Sequence, residues 1–409
     1  MKPDLRKDDA ITAQAVARLR RSIIRRIQSQ KVMPRRCVLE DQIVWGRAPV
    51  RLDLAGGWTD TPPYCFLHGG RVLNLAVNLN GQPPVQVFAR VSPRPELVIR
   101  SIDLGLEERV RTHQELEGFD RVGSGFTIAR AALALCGFLP PFRAQKDGQS
   151  LEAQLRQFGG GIEVSLLCAV PKGSGLGTSS ILAATLLGTL SELCGLGWDF
   201  YAISERTLAL EQMLTTGGGW QDQIGGLTHG IKLIETARGL SQKPVIRWLP
   251  ETLFANAIAD GTLMLYYTGL TRTAKDILQE VVRAVLLKKC KHLSILRQIG
   301  ENAERTATAI ARADWEALAA AIRRSWQLNQ QLDKGTNPPA VQAILDAVCG
   351  DLLAAKLLGA GGGGYLLMLA KDEKAARRIR RVLTGHPPNE RARFVDFAIS
   401  ATGFQVTRS

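Results

Sequence analysis

GIEVSLLCAVPKGSGLGTSSILAATLLGTLSELCG, running from Gly161 to Gly195, reads as strand, glycine-rich loop and helix in immediate succession. The β-branched and apolar content of Gly161–Val170 favours a strand, and Pro171, which cannot continue a sheet ladder, stops it. From Ser179 to Cys194 small residues and good helix formers follow, and Gly195 ends them. Between the two lies PKGSGLGTSS, Pro171–Ser180, with glycines at Gly173, Gly175 and Gly177. Such spacing lets successive backbone N–H groups converge on a phosphate at the helix N-terminus, where the dipole also favours an anion. The hydroxyls of Thr178, Ser179 and Ser180 can cap the helix or meet a metal ion. A lone loop of this kind is as often a plain capped turn. It ends in neither the G-K-[ST] of a Walker A loop nor the G-x-G-x-x-G of a Rossmann turn.

Two further segments share its character. LLGAGGGGYLL, Leu357–Leu367, holds five glycines between Gly359 and Gly364 and runs straight into a strand candidate, Tyr365–Ala370. Flexible linkers are flanked by polar residues, whereas leucines flank this one, so its glycines signal close backbone approach to a ligand or to another loop. RAPVRLDLAGGWTDTPPYC, Arg47–Cys65, alternates Arg51 and Asp53 with Val50, Leu52 and Leu54, which puts the arginine and the aspartate on one face of a strand. Asp60 follows across a rigid turn. The pair reads either as a buried ion pair or as a sugar and phosphate contact.

The chain has 409 residues, a length that suggests about two domains, and its 45% apolar against 22% charged composition excludes a disordered chain. No run of eighteen apolar residues occurs, and acidic residues sit where a secretory h-region would have to be, so a cytoplasmic protein is expected. The seven cysteines are odd in number, widely spaced and without a C-x-x-C pair, which reads as free thiols in a reducing compartment. The five histidines show no metal spacing.

The net charge of +14 invites a nucleic-acid reading, yet Met1–Glu40 carries eleven basic residues against four acidic ones, half of the total. Val16, Leu19, Ile23 and Ile27 recur there at helical spacing, with arginines largely on the other faces. This basic amphipathic helix is expected to pack its apolar stripe on the chain's own body rather than on a membrane. With aromatics at 6% there are few stacking platforms, so no nucleic-acid partner is expected either.

Outward from the central motif, Pro84–Val91 and Glu96–Ile102 read as strands. Helical periodicity runs over Ala202–Leu214, from Thr273 through Ile299, from Asn302 to Leu332, and again over Lys374–Leu383. The expected division is a helical segment over 1–37, a first domain over 38–245 and a second over 246–409, the boundary lying in a polar, Pro-containing stretch near Lys243–Arg247.

Taken together and in order, the three glycine-rich segments resemble the GHMP small-molecule kinases, the family of galactokinase, homoserine and mevalonate kinases. A finer likeness, to the kinase half of the bifunctional fucokinase/GDP-fucose pyrophosphorylases, runs from about Val38 to Ser409 through VRLDLAGGWTDTPPYC, GSGLGTSSILA, LTTGGGWQDQIGG, YYTGLTRTAK, GTNPPAV and GAGGGGYL. The pyrophosphorylase half has no counterpart here. The resemblance implies an α+β, two-domain GHMP fold with its active site between the domains. It also implies transfer of the ATP γ-phosphoryl group to the anomeric hydroxyl of L-fucose, with Mg²⁺.

By the same resemblance Asp222 is the catalytic base and Arg51 its partner. Asp222 read without it is only a helix N-cap. The ATP phosphates fall to Gly173, Ser174, Gly175, Leu176, Gly177, Thr178, Ser179 and Ser180, and Mg²⁺ to Ser179 and Glu211. Substrate contacts fall to Trp58, Asp60, Gly219, Tyr267, Gly361 and Gly362, and the Tyr267–Thr273 junction, with Thr268, Arg272 and Thr273, is a further candidate. Galactokinase-like members carry Glu-His where Gly57 and Trp58 stand, so their galactose contacts do not transfer. Trp58 instead offers a flat apolar surface suited to the methyl of a 6-deoxy sugar, while Asp60 suits sugar hydroxyls. Two alternatives remain open: a heptose-phosphate kinase of the same family, and a catalytically silent sugar or nucleotide sensor on the same fold. A GDP-fucose pyrophosphorylase is the candidate protein partner.

Overall fold

The computed structural model describes residues 5–120, 125–145, 148–214, 217–271 and 275–409. Three sheets organise it. The first has six strands in the spatial order Gln405–Arg408, Val44–Ala48, Val85–Ser92, Gly161–Cys168, Leu97–Ser101 and Leu106–Val110. All its pairs are antiparallel except Leu97–Ser101 with Gly161–Cys168. In the second, Gly70–Leu79 pairs with Val50–Ala55, Phe397–Ile399 and Ile231–Thr236, and Val245–Leu249 closes the edge. The third is antiparallel, in the order Leu352–Leu357, Tyr365–Ala370, Leu263–Tyr267 and Arg393–Val395.

The expected strands over Gly161–Val170, Pro84–Val91, Glu96–Ile102 and Tyr365–Ala370 all form, each within two residues at its ends. The helix after the central loop is Thr178–Leu193, and it packs against Val44–Ala48 and Val85–Ser92. Ala202–Leu214 is realised as Phe200–Met213, and the late basic helix as Glu373–Gly385.

The long helical region is divided differently from its periodicity. Three helices replace two: Lys275–Leu286, Cys290–Ala311 and Trp315–Leu332. The breaks fall at Lys288 and Ala313, non-glycine residues in left-handed conformation with φ of 51° and 54°. Asp314 then caps the third helix by accepting from the Ala317 N–H at 2.9 Å. Continuous helix across Ile299 to Asn302 replaces the expected gap there.

The division expected at 245/246 does not coincide with a break in the sheets. It falls at the start of Val245–Leu249, whose partner is Ile231–Thr236. The chain's last strands also return: Phe397–Ile399 pairs with Gly70–Leu79, and Gln405–Arg408 with Val44–Ala48. One apolar cluster joins Leu52, Leu54, Leu73 and Ile231 to Leu265, Ala303, Ala307 and Leu367, so the core itself spans the two halves.

The N-terminal helix, Leu5–Gln28, lies against Phe200–Met213. Ile23 and Ile27 are buried in the same apolar cluster as Leu208, and Arg26 reaches Glu205 at 2.8 Å. The exposed arginines Arg18, Arg21 and Arg25 fall on the opposite side. No helix among the described residues is long and apolar enough to cross a membrane. All seven cysteines are unpaired.

Candidate active site

The central glycine loop turns three times through left-handed backbone, with φ of 69°, 80° and 74° at Gly173, Gly175 and Gly177. Gly177 occupies the N-cap position of Thr178–Leu193, and no side chain caps that helix. The hydroxyls of Thr178, Ser179 and Ser180 therefore serve elsewhere, and the first-turn N–H groups, which have no intrahelical acceptor, open onto a cleft of about 260 Å³. Gly173, Ser174, Gly175, Gly177, Thr178 and Ser179 line this cleft, whereas Leu176 and Ser180 are buried beneath it.

Leu357–Leu367 is the loop that approaches. The Tyr365 N–H donates to the Ser174 carbonyl at 3.0 Å. A Cβ on Gly359 would sit 2.8 Å from the Gly175 carbonyl oxygen, and one on Gly364 would fall on the Ser174 carbonyl oxygen. Two glycine loops from opposite halves thus interlock backbone to backbone, and the partner predicted for these glycines is another loop. Gly359 and Ala360 reach the cleft. Gly361 and Gly362 do not: the Gly362 N–H donates to the Thr336 carbonyl at 2.8 Å, and Gly361 packs on Thr336.

Asp222 is not the N-cap expected from its local sequence but lies in the first turn of the short helix Gln221–Leu227, two positions past the cap residue Trp220. Gly225 and Gly226 let this helix lie close, since a Cβ at Gly225 would be 2.8 Å from the Arg51 Cβ and one at Gly226 would be 2.7 Å from Ile181. Lys232, fully buried, donates to the carbonyls of Gly225, Thr228 and Gly230 at 3.1–3.3 Å and so ties down the helix's C-terminal end. Burial pulls that ammonium well below the usual lysine range.

Arg51 donates from Nε and Nη2 to Asp222 Oδ1, at 2.9 and 2.7 Å, and from Nη1 to the Gly175 carbonyl at 2.6 Å. The arginine is 3% exposed while the Asp222 side chain keeps 27% exposure into the cleft. Burial alone would lower the Arg51 pKa, but the facing carboxylates of Asp222, Asp53 and Asp60 outweigh it and hold the group above its ordinary value. Both hydrogen bonds go to Oδ1, and Asp222 Oδ2 takes neither of them.

Asp60 accepts from the N–H groups of Trp58 and Gln221, each at 3.1 Å, and Gly219 packs directly on its carboxylate. It lines the cleft while being 1% exposed, and burial, helped by the charge of Asp222, pushes its carboxyl up to about 7. Trp58, at φ 84°, is in strained left-handed backbone. Its ring edges the cleft but is mostly covered, packing with Tyr64, Ile277 and Ile299.

Ser180, not Ser179, donates to Glu211, at 2.8 Å to Oε1, while Glu211 Oε2 lies beside Gly218 at the cleft wall. Ser179 is exposed at the cleft. Tyr267 is not brought to the cleft: it is 2% exposed, tilted against Tyr365 with ring centroids 5.1 Å apart, and covered by the Arg393 guanidinium. Thr268 donates to the Gly364 carbonyl at 2.8 Å and so supports the loop, and Arg272 and Thr273 lie outside the described residues.

Two features were not anticipated, the lysine that holds Asp53 and the place of Gln221. Asp53 is held by Lys356, whose Nζ donates to Asp53 Oδ2 at 2.8 Å and to its carbonyl at 2.9 Å. Gln221 lines the cleft beside them. The signal for Lys356 was one cation inside the apolar run LLAAKLL, three residues before the glycines.

Comparison with known proteins adds to this geometry. Residues 147–230, which hold the central loop and Asp222, match GHMP kinases N terminal domain, and residues 306–389, which hold the second glycine loop, match GHMP kinases C terminal. The chain is 52% identical over 391 residues to a Bacteroides fragilis protein named L-fucokinase/L-fucose-1-P guanylyltransferase, covering 96% of this chain and 41% of that one. It is 30% identical over 339 residues to the bifunctional fucokinase/GDP-fucose pyrophosphorylase of Arabidopsis thaliana, covering 83% of this chain and 31% of that one. The chain therefore spans less than half the length of these curated relatives. Among solved structures, a D-glycero-D-manno-heptose 1-phosphate kinase from Bacteroides thetaiotaomicron superposes with a TM-score of 0.64 at 17% identity, covering 89% of this chain and 98% of that one, a likeness of fold.

Proposed function

Because the chain belongs to the GHMP kinases, we propose that it is a cytoplasmic, ATP-dependent sugar kinase that phosphorylates the anomeric hydroxyl of L-fucose, giving fucose 1-phosphate and ADP. The observation that carries the reading is the carboxylate of Asp222, fixed through one oxygen by Arg51 and placed beside the N-terminus of Thr178–Leu193. A Cβ on Gly177 would lie 2.8 Å from the Asp222 carboxyl carbon, so base and phosphate loop are immediate neighbours.

The chain's own residues divide the work. The glycine loop and the first-turn N–H groups receive the ATP phosphates, and the buried Ser174 hydroxyl, which has no partner among the described residues, fits a phosphate oxygen. Asp222 Oδ2 accepts the proton of the attacking hydroxyl, while Arg51 orients the carboxylate and balances charge near the γ-phosphoryl group. Asp60 accepts from sugar hydroxyls. Ser179 at the cleft and the buried Glu211 behind Gly218 are oxygen donors of the kind Mg²⁺ takes, and the ion when bound would neutralise the β- and γ-phosphates.

A neutral sugar is favoured over a phosphorylated one by the cleft's charge. Asp53, Asp60 and Asp222 line it, and Arg51 is its one cation among the described residues, already engaged by Asp222. The likeness to two named fucokinases points the same way. Their names also join the kinase to a nucleotide transfer, so a fucose-1-phosphate guanylyltransferase, on the same polypeptide or a separate one, is the expected consumer of the product. The test is ADP release with Mg·ATP over L-fucose, D-arabinose, D-galactose and heptose 7-phosphates. Turnover on a heptose phosphate and not on L-fucose would overturn the substrate assignment. ATP binding without turnover on any sugar would indicate a sensor.

A further inference from the structure

The cleft contains two buried acceptor oxygens that the proposed chemistry does not use. Asp53 is 1% exposed and lines the cleft, and Lys356 occupies its Oδ2 and its main-chain carbonyl. Its Oδ1 has no hydrogen-bond partner among the described residues. A charged carboxylate oxygen held out of water without a donor is expensive, so this arrangement persists where a ligand supplies the donor. Beside it, Gln221 Oε1 is likewise buried and unpartnered. The two side chains are neighbours, since a Cβ on Gly57 would lie 2.8 Å from Asp53 Oδ2 and 3.2 Å from Gln221 Nε2. Gly57, part of the double glycine after the strand, leaves the space in front of both.

Lys356 makes the placement stringent. It comes from Leu352–Leu357 in the other half of the molecule and is fully buried, with its ammonium on Asp53 alone among the described side chains. The pair is neutral as a unit, so it can meet an uncharged hydroxyl donor without leaving a charge uncompensated. It also fixes the carboxylate in one rotamer, with Oδ2 on the lysine and Oδ1 left without a donor among the described residues.

We infer that Asp53, locked by Lys356, and Gln221 form a hydroxyl-reading shelf that accepts hydrogen bonds from a vicinal pair of hydroxyls on the sugar ring, and so select among sugars. Asp53 and Gln221 are contact residues for substrate and Lys356 is a positioning residue. The inference rests on the reading of this cleft as a sugar site.

The test crosses enzyme variants with substrate deletions. Wild type, the charge-neutral double variant Asp53→Asn/Lys356→Met, and Gln221→Leu are assayed with L-fucose and its 2-, 3- and 4-deoxy forms. Thermal protection by each sugar is recorded alongside. Wild type is expected to lose about tenfold to a hundredfold in kcat/KM on the deoxy sugars that lack a shelf-bound hydroxyl, the cost of a missing charge-assisted hydrogen bond. The double variant loses a similar factor on L-fucose itself and nothing more on one of those deoxy sugars, with KM for ATP unchanged. Gln221→Leu, which keeps the main-chain N–H to Asp60, does the same at the adjacent hydroxyl and stands in if the double variant misfolds. Equal losses on every sugar, or a change carried by ATP, would overturn the inference. Absence of turnover on L-fucose would defeat the functional reading instead, while the pattern of thermal protection would still decide for or against the shelf.

Discussion

Replacing Gly364 by alanine probes the interlock of the two glycine loops, the contact on which the phosphate site depends. Gly364 has φ 96°, so an L side chain there costs about 1–2 kcal/mol in backbone strain. Its Cβ would fall on the Ser174 carbonyl oxygen, which must then withdraw and give up the Tyr365 N–H, worth about 1 kcal/mol. The two together predict a stability loss of about 2–3 kcal/mol. Displacing Ser174 also moves the loop whose N–H groups receive phosphate, so affinity for a non-hydrolysable ATP analogue should fall about tenfold. Urea unfolding gives the first quantity and isothermal titration the second. Gly350→Ala is the control, because an added Cβ there meets no atom within 4 Å. A Gly364→Ala protein that unfolds and binds nucleotide like wild type would refute the reasoning, since the close approach would then be inconsequential.

Arg51→Met should retain the fold and cost about 1–3 kcal/mol, a figure discounted because the Asp222 side chain is 27% exposed. Its kcat should fall by about a hundredfold or more, as one engaged electrostatic partner is lost, and a single-turnover assay reads this directly. Asp60 makes a prediction about pH. Its carboxyl moves from 3.8 in the unfolded chain to about 7 in the fold, so the folded state holds the extra proton and stability falls as pH rises between those values. Over about pH 5.5 to about pH 8 wild type should lose about 2 kcal/mol relative to Asp60→Asn in urea unfolding; parallel pH profiles would contradict the burial argument. For the N-terminal helix, Ile27→Ala should cost about 2–4 kcal/mol, because Ile27 is 3% exposed in the core. An unchanged melting temperature would mean that the helix is not docked.

Much of the site was legible because it is built from local signals. Strand, glycine loop and helix follow one another between Gly161 and Leu193, and their boundaries were set by proline and glycine. The five glycines from Gly359 to Gly364 announced a close approach, and leucines on both sides excluded a linker. What escaped was non-local or unmarked. Asp53 and Lys356 meet across 303 positions, and no spacing rule joins them. The return of Phe397–Ile399 and Gln405–Arg408 to Gly70–Leu79 and Val44–Ala48 carries no local signature. The helix breaks at Lys288 and Ala313 lack glycine and proline, and the apolar stripe runs through them. Tyr267 is named by the resemblance of the strand–helix junction YYTGLTRTAK, but its packing on Tyr365 puts its ring in the core. Helix phase separates Ser179, at the cleft, from Ser180, on Glu211: a one-residue step rotates a side chain by roughly 100°, enough to move it from the cleft to the interior.

The account stands most directly on the position of the transferred phosphate. Incubation with Mg·ATP and L-fucose, followed by ³¹P and ¹H NMR of the product, should show phosphorus coupled to the anomeric proton, and no such product with Asp222→Asn. A phosphate ester on another carbon, or an Asp222→Asn enzyme that phosphorylates the sugar at the wild-type rate, would contradict it.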